Sequence, residues 1–163
     1  MTHAMTCDLL ILGAGPAGLA AAHAAVGSGL SIVLVDDNRV PGGQIWRTGP
    51  GFASEAQARS TLLAQYNNLQ LHTGTRCVAV HGPQQLLLEN ARGAWVQTYQ
   101  KLIVCSGARE LLLPFPGWTL PGVTGTGGLQ ALIKGGVPVA GQRVVVAGNG
   151  PLLLAVAQTA RGA

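Results

Sequence analysis

Charge and aromatic side chains are scarce in this 163-residue chain: Asp, Glu, Lys and Arg together make up 10% and Phe, Trp and Tyr 4%. The few cations are scattered singly from Arg39 to Arg161 and build no basic stripe able to follow a phosphate backbone. A nucleic-acid groove is excluded in spite of the net charge of +4. Cysteine is nearly as rare. Cys7, Cys77 and Cys105 stand far apart, with no C-x-x-C and no histidine at ligand spacing beside them. That pattern carries neither a zinc site nor a disulfide framework, and a reduced, cytoplasmic setting fits it. Charge is also missing altogether from Leu9 to Val26, but no basic residue precedes that run and Gly13, Gly15, Pro16 and Gly18 interrupt it. It reads as a turn and a helix, not as a signal segment or a transmembrane segment.

What is present is apolar: 48% of the residues are hydrophobic, with 24 Gly and 9 Pro, enough for a real core in one domain and part of a second. Leu9-Leu10-Ile11-Leu12 is a continuous apolar run ending in glycine, the pattern of a parallel strand covered on both faces. Pro16 suits the first turn of a helix, the small residues from Ala17 to Ala25 let that helix lie close to a sheet, and Gly27 and Gly29 stop it. Ser31 to Val35 then gives a second strand and completes a βαβ unit. A Gly/Pro-rich loop from Pro41 to Gly51, a helix from about Ser54 to Tyr66 and a short strand from Leu69 to His72 follow.

Three short strands, Arg76 to Val80, Gln85 to Glu89 and Ala94 to Thr98, separated by turn residues, predict an antiparallel meander. Leu102 to Cys105 predicts a return to the parallel sheet. Leu113 to Gly122 reads as a crossing between domains, with a helix near Leu129 to Lys134 beyond it. Val144 to Gly150 predicts the first strand of a second unit, with a helix from Pro151 onward. The expected fold class is α/β, a Rossmann-like domain with parallel sheet and meander over residues 1–112. A crossing over 113–122 leads to the start of a second Rossmann-like domain over 123–163.

The chemistry is concentrated in Gly13-Ala14-Gly15-Pro16-Ala17-Gly18, directly after the first strand, with Asp36 at the end of the second. Gly13 permits a tight turn, Gly15 lets backbone approach a pyrophosphate and Gly18 lets helix and strand pack. The helix N-terminus supplies free N–H groups and a partial positive charge. An acidic residue about 20 positions on accepts hydrogen bonds from a ribose diol. Asp36 is placed for that role, with Asp37 as the alternative. His72 and His81 read as ordinary surface histidines, and Trp46 and Trp118 as loop packing.

Residues 8–43, the meander, and Val104-Cys105-Ser106-Gly107-Ala108-Arg109 with Pro114, Pro116 and Gly117 resemble the flavin half of the glutathione-reductase-like, two-dinucleotide-domain flavoproteins. More narrowly, Pro41-Gly42-Gly43-Gln44-Ile45-Trp46-Arg47 and the tract from Arg109 through Leu113-Pro114-Phe115-Pro116-Gly117-Trp118 to Leu132 resemble the flavoprotein subunits of hydrogen cyanide synthase, opine oxidases and related amine or amino-acid dehydrogenase complexes. The resemblance implies FAD as cofactor. Its contacts would be Gly13, Gly15, Pro16, Ala17, Gly18, Asp36 or Asp37, Gly42, Gly43, Gln44, a backbone contact at Cys77 or Val78, Ser106 and Gly107. It implies a small amine or amino-acid substrate, oxidation of a C–N bond to an imine and other subunits as partners. The implied location is cytoplasmic, either free or peripheral to the cytoplasmic membrane through those subunits. It supplies no catalytic residue in this stretch.

Two departures from that family stand in the sequence. The second glycine motif, Gly148-Asn149-Gly150-Pro151-Leu152-Leu153, carries leucine at the third glycine position of a nicotinamide site. The segment that completes the flavin domain in that family, after its whole second domain, has no counterpart, so the chain reads as truncated. The paired redox cysteines of disulfide reductases are absent as well. The alternatives are an NAD(P)H-dependent flavin oxidoreductase and a nucleotide-binding remnant without turnover.

Overall fold

The computed structural model of the chain describes residues 4–46 and 55–163. Ser54 and the part of the Gly/Pro-rich loop beyond Trp46 lie outside the described residues. Two compact units are formed, residues 4–46 with 55–107 and residues 108–163.

The first unit runs β1 (Ala4–Leu12), α1 (Pro16–Ala25), β2 (Ile32–Asp36), α2 (Glu55–Leu63), β3 (Leu69–Thr73), β4 (Arg76–Gly82), β5 (Gln85–Asn90) and β6 (Gly93–Val104). One six-stranded sheet has the order β3-β2-β1-β6-β5-β4. It is parallel from β3 to β6 and antiparallel from β6 to β4. This is the Rossmann-like α/β arrangement that the sequence predicts.

The alternation of side chains across a strand explains why Leu9 to Leu12 of β1 and Ile32 to Val35 of β2 are apolar without a break. Leu9, Ile11, Ile32 and Leu34 face α1 and α2, where Leu19, Ala22, Ala56 and Leu63 meet them. Leu10, Val33 and Val35 point to the other face and gather with Cys7, Leu86, Leu88 and Trp95. His72 of β3 comes within 5.9 Å of Trp95 on β6, ring to ring. His72 is in register with Val35, Leu12 and Val104, so in a flat sheet Trp95 would lie nine residues, about 30 Å, away along β6, and the ring contact requires the sheet to coil over this face. Burial there pushes the His72 imidazole below its ordinary pKa.

One expectation changes. Ala94 to Thr98 and Leu102 to Cys105 are not two strands but parts of the single twelve-residue β6. It pairs with β5 through residues 93–98 and with β1 from Val96 to Val104. Thr98-Tyr99-Gln100-Lys101 looks like an interruption because it is polar, yet a ladder is made by backbone. Tyr99 stands opposite Cys7 and Lys101 opposite Leu9. Gln100 gains a further tie by donating its amide to Asp8 at 2.8 Å.

The second unit contains α3 (Thr126–Lys134) and α4 (Leu152–Arg161), packed on each other. α3 starts at Gly125, which offers no side-chain cap. Glu110 supplies one from a distance, accepting from the Thr126 hydroxyl at 2.8 Å and from the Gly128 amide at 3.2 Å. Burial opposes its charge, but these hydrogen bonds outweigh burial and hold the Glu110 carboxyl below the usual range. The cap is therefore complete at neutral pH and lost only in acid. No strand forms at Val144 to Gly150, because no ladder partner stands beside it among the described residues. In this unit Val156 is buried, while Leu111, Val145 and Leu154 are 82%, 81% and 76% exposed.

Candidate functional site

The turn between β1 and α1 is held from three sides. Gly13 has φ +100° and donates its amide to the Val35 carbonyl at 2.7 Å. A Cβ on Gly13 would collide with the Cys105 carbonyl, and one on Gly18 would collide with the carbonyl of Gly13. Both glycines are thus required for the close contact of strand, turn and helix. Gly15 differs: its φ of −73° suits any residue, and the nearest atom to a Cβ placed there is Gly43 Cα at 3.8 Å. Among the described residues, only this ordinary contact with Gly43 stands in front of Gly15.

On the β2 side, Asp36 is 6% exposed and its Oδ2 accepts the Ala14 amide at 2.6 Å. Its Oδ1 accepts the backbone and side-chain amides of Asn38, each at 2.8 Å. On the second side, Gly42 donates to the Ala14 carbonyl at 2.8 Å, and a Cβ on Gly43 would come 3.1 Å from Gly15 Cα. Gly42 and Gly43 both take positive φ, +121° and +56°, which glycine alone adopts without strain. On the third side, Cys105 donates to the Leu12 carbonyl at 2.7 Å, and this brings Ser106 beside Gly13, with Gly107 next in the chain.

α1 begins with Pro16 in its first turn, has no acidic residue there and has no side chain capping its first amides. An uncapped, positively polarised helix end facing a glycine pair fits a diphosphate. Pro16 is half-buried and Ala17 exposed at that end, while Gln44 is exposed at the lip.

Sequence reasoning foresaw the glycines, Asp36 and the Gly42–Gly43 pair meeting at one point. It did not foresee how Asp36 is engaged, because its partners are backbone amides of the turn itself. Asp37 is the exposed carboxylate of the two, lining a cleft of about 240 Å³ with Gly74, Arg76, Glu89, Asn90 and Ala91. Gly74 and Thr75 carry β4 to this cleft, donating to the carbonyls of Asn38 and Asp36 at 2.9 Å each. Thr75, 1% exposed, gave no sequence signal. Cys77 and Val78 follow on β4 and are exposed. A larger cavity, about 360 Å³, is lined by His23 at the far end of α1 and by residues of α2 including Glu55 and Arg59; it lies away from the glycine turn.

Burial pushes the thiols of Cys7, Cys77 and Cys105 up, and all three are free, so none is a thiolate at neutral pH. Among the described residues no group of three or more His, Cys, Asp or Glu stands together to hold a metal ion, and no helix is long and apolar enough to cross a membrane.

The Asp36 tether sets an expectation of its own. Asp36→Ala leaves the buried Ala14 amide without an acceptor, at a cost of about 1–3 kcal/mol, and loosens the turn. The urea midpoint should fall accordingly, and an unchanged midpoint would show that the tether contributes nothing.

A glycine turn entering a helix, set at the carboxyl end of a parallel sheet with an acidic residue at the end of β2, defines a dinucleotide-binding domain of the Rossmann type. The chain belongs to the pyridine nucleotide-disulphide oxidoreductase family, whose pattern matches residues 7–163. It is 35% identical to an opine oxidase subunit from Rhizobium meliloti over 156 residues, 89% of this chain and 34% of that protein. It is also 35% identical to hydrogen cyanide synthase subunit HcnB of Pseudomonas protegens, over 94% of this chain and 35% of that one. The chain thus spans about a third of the length of these relatives. Among solved structures, L-proline dehydrogenase from P. horikoshii superposes with a TM-score of 0.64 at 18% identity, covering 82% of this chain and 29% of the other, a likeness of fold.

Proposed function

We propose that this chain is the FAD-binding part of a flavoprotein subunit in a heteromeric amine or amino-acid dehydrogenase. The observation that carries the proposal is the cradle at Gly15: an uncapped helix N-terminus, faced by the backbone of Gly43 and backed by a tethered turn. The backbone of Gly13, Gly15, Ala17 and Gly18, with Pro16 presetting the helix, holds the diphosphate. Asp36 fixes the turn and, with Asp37, meets the adenosine ribose. Gly42, Gly43 and Gln44 approach the diphosphate and ribityl chain from the opposite side, the backbone at Cys77 or Val78 borders the adenine, and Ser106 and Gly107 close the β6 side.

When bound, the flavin supplies two-electron chemistry, taking electrons from a C–N bond that becomes an imine and passing them to an acceptor. The residues of this chain bind and orient it, and none of them is assigned a proton. Relatives named as subunits support a partnership with other chains; the proposed location is the cytoplasm, free or at the cytoplasmic membrane through those chains.

The whole polypeptide carrying this chain should purify yellow, with a flavin absorbance spectrum that survives desalting and FAD released on heating. Release of NAD, or a colourless protein that takes up no FAD, would overturn the reading. The second reading, reduction by NAD(P)H, requires a nicotinamide site at the other glycine motif, where Leu153 stands against Gly148.

A further inference from the structure

The segment facing Gly15 has no regular structure of its own, yet its placement decides whether the cradle exists. Gly42 anchors the segment by donating to Ala14, and Trp46 closes it on itself by donating to the Gly42 carbonyl at 3.1 Å. α2 supports it from the side. A Cβ on Gly42 would stand 2.9 Å from the Ala56 Cβ, so helix and loop touch without intervening side-chain atoms at that point. One turn further along α2, the Arg59 guanidinium lies over the Trp46 ring, 5.2 Å from its centre. Glu55 fixes that guanidinium from the same helix face, with its Oε1 accepting from Arg59 Nη2 at 2.7 Å and from Arg59 Nε at 3.1 Å.

A cation on an indole face is directional, and here Glu55 orients the guanidinium although the Arg59 and Glu55 side chains are about half exposed, 43% and 56%. We propose that Arg59 is a positioning residue: lying on Trp46 and steered by Glu55, it holds the Gly42–Gly43 loop against Gly15. Arg59 touches no nucleotide; it acts through Trp46. The proposal rests on the reading of the cradle as the flavin diphosphate site, and it makes α2, not the glycine turn alone, responsible for the spacing of that site.

The test compares wild type, Arg59→Met and Arg59→Lys in the whole polypeptide carrying this chain, following amide hydrogen exchange and the rate of FAD release. Methionine keeps the apolar stem on the ring and removes the cation, whereas lysine keeps a cation over it. Arg59→Met should exchange the Gly42 and Trp46 amides about five-fold faster, the scale of a lost cation–π contact. FAD release should accelerate in parallel while β1 and β2 amides stay as in wild type, and Arg59→Lys should restore most of both. Unchanged exchange at Gly42 and Trp46 overturns the proposal, as does equal acceleration throughout β1 and β2, which marks general loss of stability. Faster loop exchange with unaltered FAD release overturns the link to the nucleotide. A wild type that holds no FAD sinks the functional reading instead, and the exchange measurement still decides the brace.

Discussion

Gly15→Val leaves the purified protein colourless and still folded. The argument rests on the contrast between two glycines two positions apart. Gly13 has φ +100° and a carbonyl where its Cβ would be, so any side chain there breaks the turn. Gly15 has φ −73°, which valine accepts, and its nearest neighbour is Gly43 Cα at 3.8 Å. A valine therefore fits the fold but places its methyl groups in the gap that the diphosphate needs. Losing two charge-assisted hydrogen bonds, at about 1.5–3 kcal/mol each, weakens FAD by at least about a hundredfold. Alanine, with its single methyl, should cost far less. Titration of the apoprotein with FAD, followed by flavin fluorescence, measures both variants alongside a thermal unfolding curve. Full FAD affinity in the valine variant would remove the cradle from the account.

NADH and NADPH should fail to bleach the bound flavin rapidly. At the second glycine motif, Gly148 takes a positive φ, +140°, as Gly13 does in the first turn, whereas Gly150 takes +112° where Gly15 has −73°. The third glycine position, however, holds Leu153. A Cβ placed on Gly148 would lie 3.6 Å from Leu153 Cδ1 and 3.7 Å from Cδ2, so the leucine methyls cover the turn where helix and strand pack closely in a nicotinamide site. An amine or amino acid, with partner subunits present, should bleach the flavin instead. Stopped-flow absorbance separates the outcomes. Rapid bleaching by NADPH alone rejects this reading and promotes the NAD(P)H oxidoreductase, and silence toward every donor leaves a nucleotide-binding protein without turnover.

The first unit was legible because its signals are local. A buried parallel strand announces itself by unbroken apolar residues, and glycines at 13 and 18 specify a turn by what a side chain would strike. β6 was misread because polar residues in its middle conceal a continuous backbone ladder. The engagement of Asp36 with Ala14, the tie of Thr75 to Asp36 and the stacking of Arg59 on Trp46 leave no trace in spacing, since their partners are main-chain atoms or side chains brought near only by the fold. In the second unit the strand expected at Val144 to Gly150 had the right composition, but a strand exists only with a neighbour to pair with, and composition cannot supply one.

The pairing of β1 with β6 also fixes the order in which the protein can be made. Ala4 pairs across to Val96 and Leu12 to Val104, so the central strand of the sheet keeps one edge bare until nearly the whole first unit has been synthesised. Contacts between such distant stretches form slowly, and an unpaired apolar edge invites association in the interval. The amide of Cys105 and its carbonyl, which complete the support of Leu12 and Gly13, arrive last of all. A chain still emerging from the ribosome thus has the glycine turn early but no finished cradle, and cofactor loading must wait for the strand that closes it.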